Sequence, residues 1–124
     1  MGKFKEIGVT YLEHSEVNIE GVNFFGSPFT PYYCGSAFQY HKKYDEVIWS
    51  EIPEKIDVLI SHGPPFNILD KNVKGVICGS PALEKYSKLR KPKFHLFGHI
   101  HEARGQTHQN GTWYSNIAMT GIRF

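Results

Sequence analysis

Cysteine is scarce here: among 124 residues only Cys34 and Cys78 carry thiols, far apart and without a Cys-x-x-Cys pair. A disulfide framework and a cysteine-based zinc finger both lack support, and reduced thiols in a cytosolic protein are the expectation. No stretch approaches the roughly 20 apolar residues of a membrane-spanning helix, so no membrane association is expected. Met1-Gly2-Lys3-Phe4-Lys5-Glu6 lacks the apolar core of a signal peptide, and Glu6 stands where a myristoylation signal has Ser or Thr. A cytoplasmic location is the corresponding expectation. A net charge of +2 with 21% charged residues offers neither a nucleic-acid arm nor an acidic tail. There is no low-complexity tract and no internal boundary. Residues 1–124 read as a single domain, long enough to bury about two thirds of its unfolded surface around one core.

What is abundant is histidine, seven in all. Phe94 to Phe97 is a short apolar run that reads as a buried strand, ended by Gly98, where backbone is expected to crowd a neighbour. His99-Ile100-His101 follows. In extended backbone residues two apart point the same way, so His99 and His101 can address one cation or two adjacent ones while Ile100 packs behind. Taken alone, the pair also fits two histidines on a wet loop. An earlier stretch repeats the pattern: Ile56-Asp57-Val58-Leu59-Ile60-Ser61 is an apolar strand that runs into His62-Gly63-Pro64-Pro65. In open α/β sheets ligands bind where loops leave adjacent carboxyl strand ends. Three histidines from two such ends, His62, His99 and His101, make a metal site the favoured reading.

Along the chain, Val9–Leu12 and Val17–Ile19 are β-prone, and Glu20-Gly21 reads as a hairpin turn into Val22–Phe25. Gly26 to Gly35 holds two prolines among aromatics and reads as an ordered loop, packed over the core or stacked on a substrate ring. Phe38 to Trp49 has an imperfect helical period, ended by Pro53. A strand over Ile56–Ser61 and a long loop over Phe66–Gly79 follow. Ser80-Pro81 starts a helix, with a hydroxyl to cap free amides and a proline where its missing donor costs nothing. Leu83, Tyr86 and Leu89 are expected to face inward. Lys88, Arg90, Lys91 and Lys93 suit a solvated helix end or, less simply, a phosphate patch. Asn110-Gly111 is a hairpin signal that joins Gln106–Gln109 to Thr112–Asn116.

A strand, Ser-His-Gly-Pro-Pro, a helix, a second strand and Gly-His-Ile-His together resemble the carboxyl half of the calcineurin-like metallophosphoesterases. Phe25-Gly26-Ser27-Pro28-Phe29-Thr30-Pro31, Leu59-Ile60-Ser61-His62-Gly63-Pro64-Pro65 and His95-Leu96-Phe97-Gly98-His99-Ile100-His101-Glu102 look most like the small MPPED branch. The likeness runs from about Tyr11 to Asn116. It implies an α/β fold, the carboxyl half of a four-layered α/β/β/α sandwich, with two divalent cations (manganese, iron or zinc). It further implies hydrolysis of phosphoric esters, with a phosphodiester or nucleotide as substrate. By position His62 and His99 would ligate the second metal and His101 the first.

The family's Asp-x-His, Gly-Asp-x-x-Asp and Gly-Asn-His motifs are absent, and His14, His41, Asp45, Asp57 and Asp70 stand in no such context. No catalytic residue is therefore identifiable, and the expectation is one side of a site. Half a sandwich would also leave an apolar sheet face uncovered, which implies a homodimer or a complementing chain. The rival reading is an inactive metal-binding or partner-binding remnant. A His-Glu-x-x-His protease is a poor third, with Gly105 where that motif demands its second histidine, and an RNA-binding sheet comes fourth, disfavoured by the charge.

Overall fold

Two hairpins frame the sheet, each closed by two residues of left-handed backbone. In the computed structural model, which describes residues 11–31 and 39–118, β1 (Ser15–Ile19) and β2 (Val22–Ser27) pair antiparallel across Glu20 and Gly21. At the other end β7 (Gly105–Gln109) and β8 (Thr112–Asn116) pair across Asn110 and Gly111. All four turn residues have positive φ, the turn type whose twist matches that of antiparallel strands.

Between the hairpins lie β5 (Val58–Ser61) and β6 (Phe94–Phe97), and the six-stranded order is β1-β2-β5-β6-β8-β7 with a parallel centre. The crossovers carry α1 (Asp45–Ser50) and α2 (Pro81–Arg90). A small parallel pair, β3 (Thr30–Pro31) with β4 (Gln39–Tyr40), stands apart.

Alternation along the strands sends Phe25 and Leu59 to one face, where they pack with Trp49, Ile52, Ala82 and Leu83 around the helices. The opposite face carries the register row Phe24, Val58, Phe94 and Trp113, with Ile60 and Leu96 in the next row. Among these, Ile60, Phe94 and Trp113 remain exposed. Asp45 ties the two helix starts together: its carboxylate accepts from Ser80 Oγ at 2.6 Å, from the Ala82 amide at 3.0 Å and from the Tyr40 hydroxyl. Ser80 Oγ in turn caps α2 by accepting from the Leu83 amide at 3.0 Å.

Several expectations change. The helix expected over Phe38–Trp49 is the shorter α1, preceded by a 3-10 turn at Lys42–Tyr44, because the His41 ring accepts from the Lys43 amide at 3.1 Å and holds the tighter turn. Leu89 is 60% exposed; the inward stripe is Ala82, Leu83 and Ser87, with Tyr86 partly covered. One helical turn after Leu83 comes Ser87, whose hydroxyl faces the core and finds partners there. The strand expected from Ile56 begins at Val58, since the Asp57 carbonyl is taken by the Lys93 and Phe94 amides. Tyr11 and Leu12 lie in no strand, while Val9, Thr10, residues 32–35 of the aromatic loop and Phe38 at the start of the expected helix fall outside the described residues.

Candidate metal centre

Because β5 and β6 are parallel neighbours, with Leu59 opposite His95 and Ile60 opposite Leu96, the chain leaves both at the same edge. The departing turns are stitched to each other: the His62 amide donates to the Ser27 carbonyl at 3.1 Å, and the Gly98 amide to the His62 carbonyl at 3.0 Å. This brings His62 Nε2 and His99 Nδ1 to 3.1 Å, with ring centroids 4.9 Å apart. Burial and the neighbouring His99 both hold His62 below the ordinary imidazole pKa, which favours the neutral form that can ligate a metal.

His99 is not in extended backbone. Its φ is 72° and the Ile100 amide donates to the Gly98 carbonyl at 2.9 Å, which makes His99 the centre of a γ-turn of the rarer, positive-φ hand. Such a residue costs on the order of 1–3 kcal/mol and persists only where its surroundings enforce it. His99 and His101 therefore do not share one side of an extended strand. His101 opens an exposed 3-10 turn, His101–Ala103, and among the described residues no three His, Cys, Asp or Glu side chains converge to hold a metal. Gly98 is not crowded either, since a Cβ there would make ordinary contact with Ala118 at 3.7 Å. Crowding falls instead on Gly79, whose Cβ would lie 2.1 Å from the Pro65 carbonyl oxygen, and on Gly26, whose Cβ would lie 2.8 Å from that of Leu12.

Asn116, Glu102 and Asp70 hold these turns and the loop beside them. Asn116, at the end of β8 and fully buried, donates from Nδ2 to the carbonyls of Ile100 at 2.8 Å and Leu69 at 3.0 Å. Glu102 accepts from the Val73 amide at 2.8 Å and ties the His101 turn to the long loop. Asp70 Oδ2 accepts from the amides of Asn67 and Gly79, both at 2.8 Å. Of the three, Asn116 alone carries a sequence signal, parity: Thr112, Tyr114 and Asn116 share the buried face of β8, and a polar residue there must find partners. His14 bridges Ser27 Oγ at 3.0 Å and Glu51 Oε1 at 2.8 Å, and His108 stacks on Trp113.

Two ring nitrogens bound to one tetrahedral cation at zinc–nitrogen distances stand about 3.3 Å apart. The 3.1 Å of His62 and His99 fits that bite, so these residues can provide two positions on one cation.

No protein-family model matches the chain. It is 35% identical over 118 residues to human Metallophosphoesterase domain-containing protein 1, with 92% of this chain and 36% of that protein aligned, and the Mus musculus protein gives the same figures. UPF0046 protein C25E10.12 of Caenorhabditis elegans is 35% identical over 119 residues, 89% of this chain and 41% of that protein. The chain thus spans 36–41% of the length of these curated relatives. A solved crystal structure superposes with a TM-score of 0.63 at 21% identity, covering 89% of this chain and 46% of the other, a likeness of fold.

The curated relatives identify a metallophosphoesterase-family protein, and the six-stranded sheet with the superposed structure gives it an α/β fold. Within that class the chain corresponds to the carboxyl-terminal region of the MPPED type.

Proposed function

We propose that this chain supplies the histidine-rich side of a metal-dependent phosphoesterase centre, with His62 and His99 sharing one divalent cation and His101 ligating a second. The observation that carries the reading is the facing pair at the end of parallel strands, 3.1 Å apart and built on a strained turn. Bound cations, manganese, iron or zinc, would neutralise the phosphoryl oxygens during hydrolysis. Beside the pair a cleft of about 460 Å³ runs from Ser27 and His62 over Ile60, Leu96 and Ile117, an apolar bed for the organic part of a phosphodiester or nucleotide. Further donors would come from a complementing chain. That no three donors converge among the described residues favours, as a second reading, metal or partner binding without hydrolysis.

The test is an assay with manganese and a chromogenic phosphodiester. The chain alone should give negligible turnover, and addition of the amino-terminal part of an MPPED-type relative should produce turnover that His62→Ala abolishes. Persistent inactivity of the mixture under every cation tried would leave the binding reading standing.

The docking surface for such a partner would be the uncovered face that exposes Ile60, Phe94, Trp113 and Ile117. Left alone, the chain should self-associate through it, and Phe94→Lys combined with Trp113→Lys should yield a monomer. Sedimentation that shows the parent monomeric at high concentration would contradict this.

A further inference from the structure

Beneath the histidine edge lies a chain of polar side chains in a place where aliphatic residues would serve packing better. Ser61, Ser87, His95 and Tyr114 are all buried. Their hydrogen bonds have only one consistent direction. Ser61 Oγ lies 2.8 Å from the Gly63 carbonyl, which can only accept, so the one hydroxyl proton is committed there. The contact between Ser61 Oγ and His95 Nε2 at 2.9 Å then requires the N–H on Nε2. A neutral imidazole so protonated has a bare Nδ1, and Ser87 Oγ, 3.1 Å away, must donate to it. Ser87 has then used its proton and accepts from the Tyr114 hydroxyl at 3.1 Å. The relay runs from β8 through α2 and β6 to the end of β5 with every donor matched, the condition under which a buried polar network rigidifies rather than weakens a core.

Its terminus has a consequence. By gripping the carbonyl two residues ahead, Ser61 closes a small loop over His62, the residue between. We infer that His95 is a positioning residue, holding one tautomer so that the Ser61 hydroxyl fixes the Gly63 carbonyl and thereby the aim of the His62 imidazole at His99. In its functional sense this rests on the cation site proposed above, and its geometric content can be tested separately.

Long-range proton–nitrogen spectra of the parent should show His95 with its proton on Nε2; a proton on Nδ1 would overturn the relay. Ser61→Ala, which keeps the core filled, should speed amide exchange at His62 and Gly63 while the strand amides hold. It should also lower zinc affinity about tenfold, the scale seen when groups that orient a ligand are removed. Ser61→Thr, which retains the hydroxyl, should restore both, and His95→Phe should behave like Ser61→Ala. Leu83→Ala, a destabilising change in the helix core, should leave zinc affinity unmoved. A folded Ser61→Ala chain with parental exchange at His62 and Gly63 would sink the inference. Parental zinc affinity in that variant would sink it equally. A parent that takes up no zinc would instead remove the proposed function, with the tautomer and exchange measurements still deciding the relay.

Discussion

Between pH 7 and pH 4 the fold should lose about 3 kcal/mol of stability through His95 alone. Burial pushes this imidazole down to about 3. An unfolded histidine titrates near 6.5, so below that pH the unfolded chain binds a proton that the folded chain refuses. Stability therefore rises with pH across the window from about 3 to 6.5 and is flat in this respect above it. Urea unfolding at successive pH values should show the acid slope in the parent. His95→Gln, which keeps a donor and an acceptor but does not titrate, should have a flatter slope even if it is less stable at pH 7. Carboxylates that protonate in the same range are common to both chains and cancel in the difference. Equal slopes would mean that His95 reaches water and takes its proton without unfolding.

Zinc should bind the chain weakly at one site, and either His62→Ala or His99→Ala should remove that binding. The pair offers one nitrogen each at the right bite, and among the described residues no third His, Cys, Asp or Glu joins it as a substitute. Ligation requires neutral imidazoles, so affinity should fall as pH drops. Because His62 is held below the ordinary imidazole value by burial and by His99, protonation of His62 itself should weaken binding only in more acid solution than a free histidine would. Calorimetric titration at several pH values measures both effects. Zinc binding that both variants retain would place the cation elsewhere.

Much of the framework was legible because it rests on local chemistry. Glu20-Gly21 and Asn110-Gly111 announce their hairpins by composition, Ser80-Pro81 announces α2, and the apolar runs that end at Ser61 and Phe97 mark the strands that carry the site. The juxtaposition of His62 and His99 could be argued from parallel strand ends. The γ-turn at His99 could not, since no local preference places a histidine at positive φ; the stitching of Gly98 to His62 and of Ile100 to Asn116 imposes it. The inward side of α2 was misjudged for a related reason: a serine takes the core position because His95 and Tyr114 wait there for a hydroxyl.

The arrangement of strands also orders events in time. Each edge hairpin closes across two residues, a step of microseconds, whereas the pairings of β2 with β5 and of β5 with β6 join residues more than thirty positions apart and must first overcome the entropy of those loops. His62 follows one of these late-pairing strands and His99 the other. A cation can therefore find its two nitrogens only in a chain that has already crossed its folding barrier. Metal should slow the escape from the native state and leave the rate of reaching it unchanged.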